Sequence, residues 1–195
     1  VKDTAGDNWL GGKNLDNALV DELIIPYLAE NYSIDFIIND ESKLQMLTAA
    51  LKPLAEECKN QLSFKDSYNI LEEFLPFEDE KGEQPEIDLN VSQSDMDRVL
   101  SPFFQKAIDI TKELLSKNNL KGSNIDALIL VGGPTYSPIL RRMLKEQVTE
   151  NVDTSIDPMT AVAVGAALFA STISVSDEVK DESRDKTKLQ LEINY

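Results

Sequence analysis

The feature that most constrains this chain is a short apolar run that ends directly in two glycines. Residues 126–131 read DALILV, and Gly132 and Gly133 follow without a break. A continuous apolar run of this length predicts a strand that is buried on both faces of a parallel sheet. Ser137 and Pro138 then give the N-cap and first-turn signals of a helix. The sequence therefore predicts a strand, a glycine turn and a helix in succession, in an α/β domain.

A glycine turn of this kind has two interpretations. Glycines let a ligand approach the backbone, and the helix N-terminus that follows offers N–H groups and a positive dipole end. Glycine pairs after strands also serve chain geometry alone. Two common phosphate-binding motifs are excluded: no GxGxxG pattern is present, and Gly12-Lys13 is followed by Asn14 rather than by the Ser or Thr of a Walker P-loop.

The rest of the chain predicts long helices and one pair of short strands. Apolar residues recur at helical spacing in four places, and three of these helices contain a proline that is predicted to bend them. The predicted helices cover about 15–28 (with Pro26), 41–62 (with Pro53), 92–115 (with Pro102, opened by a capping box at Ser92–Asp95) and 158–173. The predicted strands are 67–75 and 86–91, joined by an acidic loop at 76–85, and residues 1–13 are predicted to be a strand end followed by a glycine turn. Small residues in the last helix predict that it packs closely against a sheet or another helix. Residues 33–40 are ambiguous between a loop and a short apolar insertion.

Composition excludes several kinds of chemistry. The net charge of −16 disfavours nucleic acid and anionic membranes as partners. The absence of histidine excludes histidine-based triads and HExxH zinc sites within the chain. The single cysteine, Cys58, falls in a helical pattern and is predicted to be a small buried thiol. The acids at 72–88 lack EF-hand spacing, so we expect a solvated loop rather than a cation site.

Four segments together resemble the seventy-kilodalton heat-shock (DnaK-type) chaperones. They occur in the order and spacing of that family over about residues 1–173. The segments read LGGKNLDN at 10–17, AEECKNQLS at 55–63, LILVGGPTYSP at 128–138, and SIDP with AVAVGAA at 155–167. The second and third resemble the family's two adenosine-binding motifs.

The resemblance implies the second lobe of an actin-like ATPase (ribonuclease-H-like) α/β fold, with a smaller α+β cap subdomain. The base of the lobe would comprise residues 1–32 and 93–173, and the cap residues 33–92. Residues 174–195 would be a polar linker and the start of a following segment. Val1 begins the sequence without an initiator Met, so we expect the chain to be part of a longer protein whose first lobe lies outside it.

The same resemblance implies a set of residues that bind the adenosine of ATP or ADP. Gly12, Gly132 and Gly133 match backbone contacts, and Glu56, Lys59 and Ser63 match side chains that hydrogen-bond the ribose and adenine. The spacing of these three side chains places them on one helix face.

Four positions depart from the family pattern. Asn60 and Tyr136 stand where the family has two arginines that stack on adenine, Pro134 stands where it has a serine, and Met159 where it has an aspartate. Because a tyrosine ring stacks on purines and a methionine packs against them, the sequence predicts a more apolar clamp on the base or weaker binding. No catalytic residue and no metal ligand is expected in this chain, since the resemblance assigns Mg²⁺ mainly to the first lobe.

The function implied is that of a chaperone ATPase lobe, which couples nucleotide state to protein folding. The intact parent would hydrolyse ATP, and this chain alone would not. Two alternatives stay open: a relative that binds ATP without hydrolysing it and serves as a co-chaperone or scaffold, and another actin-fold ATPase or kinase. The partners implied are the first lobe, a nucleotide-exchange factor and a substrate-binding domain, in a cytoplasmic protein that binds neither nucleic acid nor membrane.

Overall fold

The computed structural model describes residues 1–8 and 10–173, and within them the protein is a mixture of helices with two small sheets. Most of the buried apolar side chains belong to one core shared by the helices and the first sheet. In chain order the elements are α1 (Gly12–Leu19), a π-helical turn (Val20–Ile24), α2 (Ile25–Asn31), α3 (Asp35–Ile38), α4 (Glu41–Leu62), β1 (Ser67–Glu72), β2 (Ile87–Ser92), α5 (Gln93–Lys117), a 3₁₀ turn (Gly122–Asn124), β3 (Leu128–Ile129), a 3₁₀ turn (Gly133–Tyr136), α6 (Pro138–Gln147), β4 (Val152–Asp153) and α7 (Ala161–Ser171).

The first predicted helix forms as one continuous helical segment with a π-helical turn in its middle. The backbone N–H of Ile25 donates to the carbonyl of Val20, five residues earlier. The next residue, Pro26, has no N–H and needs space for its ring, and the wider π turn provides that space. Leu19 and Leu28 are buried as the apolar pattern predicts.

The predicted helix at 41–62 has these bounds in the structure. It begins after Asp40, whose side chain accepts a hydrogen bond from the N–H of Lys43 at 3.0 Å. The ambiguous residues before it contain the short helix α3. One face of α4 is buried, including Leu51 and Cys58, and Pro53 lies inside the helix at an exposed position.

The two predicted strands pair as an antiparallel hairpin, with Tyr68 opposite Val91. One acid of the connecting loop is buried, against the expectation of a fully solvated loop. The carboxylate of Asp79 accepts hydrogen bonds from the N–H groups of Lys81 (2.8 Å), Glu83 (3.0 Å) and Ser33 (3.2 Å). Burial acts to raise the pKa of Asp79, but these three donors outweigh it and hold that pKa below its ordinary value.

Helix α5 starts at the predicted capping box. The side chain of Ser92 accepts from the N–H of Asp95, and the carboxylate of Asp95 accepts from the N–H of Ser92. The helix continues through Pro102 to Lys117 and buries one apolar face, which includes Leu100 and Phe104.

The apolar run at 126–131 is less buried than predicted. Only Leu128 and Ile129 form a strand, which pairs in parallel with Val152 and Asp153. Ile129 is 51% exposed and Val131 is 46% exposed. The prediction that this strand is buried on both faces is therefore wrong for the described residues, because no other element covers these two side chains.

Three further predictions differ from the structure. Residues 1–8 contain no strand, and the last helix begins at Ala161 with Thr160 as its N-cap rather than at Pro158. The close packing predicted from the small residues of α7 is not seen within residues 1–8 and 10–173, where no residue of α7 is buried. The predicted linker at 174–195 lies outside the described residues.

Candidate functional site

A cleft of about 880 Å³ lies between α4 and the glycine turn that follows β3. The start of α1 and Met159 complete its walls. It brings together eight of the nine residues that the sequence predicts for the nucleotide: Gly12, Glu56, Lys59, Asn60, Ser63, Gly133, Tyr136 and Met159. The ninth, Gly132, does not line it.

Helix α4 supplies the polar wall of the cleft. Glu56 and Asn60 are exposed, and Lys59 and Ser63 are half-buried. The hydroxyl of Ser63 donates to the carbonyl of Lys59 at 3.1 Å, and its lone pairs remain available as acceptors.

The thiol of Cys58, on the same helix, faces the core instead of the cleft, and burial raises its pKa to about 12. It is therefore the buried thiol that the sequence predicts rather than a nucleophile.

An ion pair holds Lys59 at the base of this wall. Its ammonium group contacts the carboxylate of Asp16 on α1, and the two side chains are only 14% and 6% exposed. Sequence reasoning missed Asp16. The available signal was an acid beside Leu15 in the apolar pattern of α1, where a charged side chain is rarely buried without a partner.

The glycine turn lies opposite α4. Gly132 has a φ of +94°, a backbone conformation that residues other than glycine rarely adopt. Its N–H donates to the carbonyl of Pro158 at 2.9 Å, and its carbonyl accepts from the N–H of Thr135 at 3.1 Å. These bonds leave Gly132 as a residue that shapes the turn. Gly133 faces the cleft, where a Cβ would lie 3.6 Å from the sulfur of Met159.

The ring of Tyr136, which lines the cleft, is held in place by two groups. Its hydroxyl donates to the carboxylate of Asp157, and the guanidinium of Arg141 lies 5.7 Å from its ring centroid. The bond to Asp157 raises the pKa of Tyr136 and lowers that of Asp157. The ring of Phe64 packs against Tyr136 with 5.5 Å between centroids and a tilt of 53°. Sequence reasoning missed Asp157 and Phe64.

Neither a metal centre nor a membrane span is found in the part of the chain that the structure describes. No group of three or more Cys, Asp or Glu side chains there is arranged to hold a metal ion. None of the helices in 1–8 and 10–173 is both long and apolar enough to cross a membrane.

The fold and the cleft define a mixed α/β domain with a site between a helix face and a glycine turn. Comparison with known families is more specific: the family model HSP70, described as Hsp70 protein, matches residues 1–195. The chain belongs to the Hsp70 heat-shock family. This confirms the resemblance seen in the sequence. The family implies an actin-like ATPase fold, with which the helices and small sheets are compatible, and it supports a heat-shock chaperone ATPase domain.

Proposed function

We propose that this chain is the lobe of a chaperone ATPase domain that holds the adenosine of ATP or ADP. The observation that carries the proposal is the convergence of Glu56, Lys59, Asn60 and Ser63 with Tyr136 in one cleft. These residues come from two segments more than seventy positions apart in the sequence. Membership of the Hsp70 family supplies the class of ligand.

The residues of the cleft fit an adenosine group. Its volume of about 880 Å³ lies within the roughly 300–1,000 Å³ of small-molecule sites. The amide of Asn60, the carboxylate of Glu56 and the hydroxyl of Ser63 offer donors and acceptors for the ribose and the base. Tyr136 and Met159 offer apolar surface. On the family resemblance alone, we assign Mg²⁺ and the phosphoryl chemistry to the first lobe.

The described surface supports a first lobe as partner. Helix α7 presents large apolar side chains to solvent: Val162, Val164, Leu168 and Phe169 are each more than half exposed. Ile129 and Val131 are also exposed, and exposed apolar side chains in such number are of the kind that marks protein–protein interfaces. We propose that the first lobe of the same domain covers them. A nucleotide-exchange factor, a substrate-binding domain and a cytoplasmic location are further parts of this proposal that rest on the family alone.

A chain of hydrogen bonds supports coupling between the cleft and α7. The hydroxyl of Tyr136 binds the carboxylate of Asp157, and the carbonyl of Asp157 accepts from the N–H groups of Thr160 (3.2 Å) and Ala161 (3.0 Å) at the start of α7. A base that stacks on Tyr136 would change the strength of its bond to Asp157 and so act on the first turn of α7, while the ring keeps its place. By this route the nucleotide state would affect the partner that covers α7. Through that partner it would affect protein folding.

A second candidate function is ATP binding without hydrolysis, as a co-chaperone or scaffold. It is favoured by Asn60 and Tyr136, which stand in place of the two stacking arginines of the family. The other alternative, an actin-fold kinase or ATPase outside this family, is disfavoured by the family match over the whole chain.

Calorimetry of the intact protein with ATP and Mg²⁺, followed by measurement of steady-state turnover, separates these functions. Binding with turnover supports the chaperone ATPase, and tight binding without turnover supports the scaffold. An intact protein that binds no nucleotide refutes both.

Substitution of Tyr136 tests the site itself. Tyr136→Ala should weaken ATP binding by about 1–3 kcal/mol, the range for stacking of a base on an aromatic ring. Tyr136→Phe keeps the ring and should retain most of the affinity. Equal affinities of the wild type and Tyr136→Ala would place the base elsewhere.

A further inference from the structure

Phe64 lines the cleft and is not part of the hydrophobic core. It follows Ser63, the C-cap of α4, and is 75% exposed. An aromatic side chain left this far in water contributes little to folding, because its apolar area is not buried. Its ring lines the same cleft as Tyr136 and makes a tilted contact with it.

The two rings of this pair are held to different degrees. Tyr136 is fixed by its bond to Asp157 and by the guanidinium of Arg141. The side chain of Phe64 has no polar atom with which to form such a bond, and its exposure leaves space for another rotamer. Tyr136 is therefore a fixed wall and Phe64 a movable one.

The present separation of the rings excludes a ligand between them. Stacked carbon atoms are in contact at about 3.5–4.0 Å, so a planar group between two rings needs roughly 7 Å from ring to ring. The centroids are 5.5 Å apart. Phe64 must therefore turn outward before a planar ligand can stack on the cleft-facing side of Tyr136.

We propose that Phe64 is the second wall of the base site, which opens to admit a planar heteroaromatic base and then stacks on it opposite Tyr136. This inference rests on the proposed nucleotide-binding function and names a residue that determines its affinity. Stacking is tolerant of base identity, so Phe64 contributes affinity for ATP and GTP alike. Selection between the two bases falls to the polar side chains of α4.

Calorimetric titration of the intact protein with ATP and with GTP, each with Mg²⁺, tests the proposal in four variants. Phe64→Ala should raise both dissociation constants by about 5- to 150-fold, the equivalent of 1–3 kcal/mol. Phe64→Leu keeps apolar volume without a flat face and should lose nearly as much, whereas Phe64→Trp should bind as well as the wild type. The matched control is Phe74→Ala, since Phe74 is also an exposed phenylalanine (72%) but lies outside the cleft.

The possible outcomes separate this inference from the function on which it rests. An intact wild-type protein that binds neither nucleotide refutes the proposed function. Wild-type binding that Phe64→Ala leaves unchanged, or that Phe64→Leu fully preserves, refutes the stacking role of Phe64 and leaves the proposed function standing. A loss in Phe74→Ala as large as in Phe64→Ala also overturns the inference, because the effect would then be general to exposed aromatic residues.

Discussion

The ion pair between Asp16 and Lys59 gives the sharpest test of how the cleft is built. Asp16→Asn keeps the size of the side chain and removes its negative charge. The ammonium of Lys59 then lies without a counter-charge between α1 and α4. Removal of one member of a buried pair costs about 3–5 kcal/mol. Because 14% of the Lys59 side chain still reaches the water of the cleft, we expect a smaller loss, about 2–3 kcal/mol, near the range for hydrogen bonds to charged groups.

A double-mutant cycle isolates this interaction. Unfolding of Asp16→Asn, Lys59→Met and the double variant would be followed in denaturant by circular dichroism. The double variant should lose no more stability than either single one, because neither charge is then left alone. The control is Glu22→Gln in the exposed pair Glu22–Arg98, whose side chains are 62% and 56% exposed, where we expect a loss below about 1 kcal/mol. If Asp16→Asn costs no more than Glu22→Gln, the ion pair does not hold Lys59 in place.

Three further predictions concern two glycines and the buried acid of the hairpin loop. Gly12→Ala should leave stability unchanged, since its Cβ would meet Pro134 and Lys59 at an ordinary 3.6 and 3.9 Å, but should weaken nucleotide binding about tenfold or more (~1.4 kcal/mol) if a ligand approaches this backbone. Calorimetry that shows unchanged affinity would contradict that approach. Gly122→Ala should lower the free energy of unfolding by at least about 1–3 kcal/mol, because its Cβ would lie 1.7 Å from the carbonyl oxygen of Val148; an unchanged denaturation midpoint would contradict this contact. Asp79→Asn should destabilise the protein at neutral pH and lose this effect in acid. The lowered pKa of Asp79 means that its contribution is complete above the unfolded value of 3.8 and is lost as the pH falls through the folded value. A wild-type-minus-variant difference in midpoint that does not shrink in acid would contradict this role.

The elements that the sequence predicts well are those whose information is local. The bounds of α4 and the start of α5 follow from an apolar repeat and from a cap within a few residues, as at Ser92 and Asp95. The paired strands β1 and β2 follow from two short runs and a loop with a glycine at positive φ, Gly82.

The elements that the sequence predicts poorly are those whose burial depends on a partner. An apolar pattern shows that a surface is favourable to bury, but it does not show what buries it. The run at 126–131 and helix α7 have apolar patterns of this kind, and in the described residues both leave large side chains in solvent. The same property that makes these two predictions wrong in detail makes these surfaces the best candidates for an interface.

In the candidate site, too, the sequence predicts what depends on local spacing and misses what depends on tertiary contacts. Spacing alone places Glu56, Lys59 and Ser63 on one face of α4, because a helix fixes the relation between residues three and four apart. Spacing cannot show that Asp16 anchors Lys59, or that Asp157 and Phe64 meet Tyr136, since these contacts join segments far apart in the chain. A resemblance to a family also favours positions where the family has known residues, and Phe64 falls outside that set. Asp16, Asp157 and Phe64 are therefore recognised only from their tertiary contacts. The tests of Asp16 and Phe64 examine contacts of this kind, which the sequence pattern does not show.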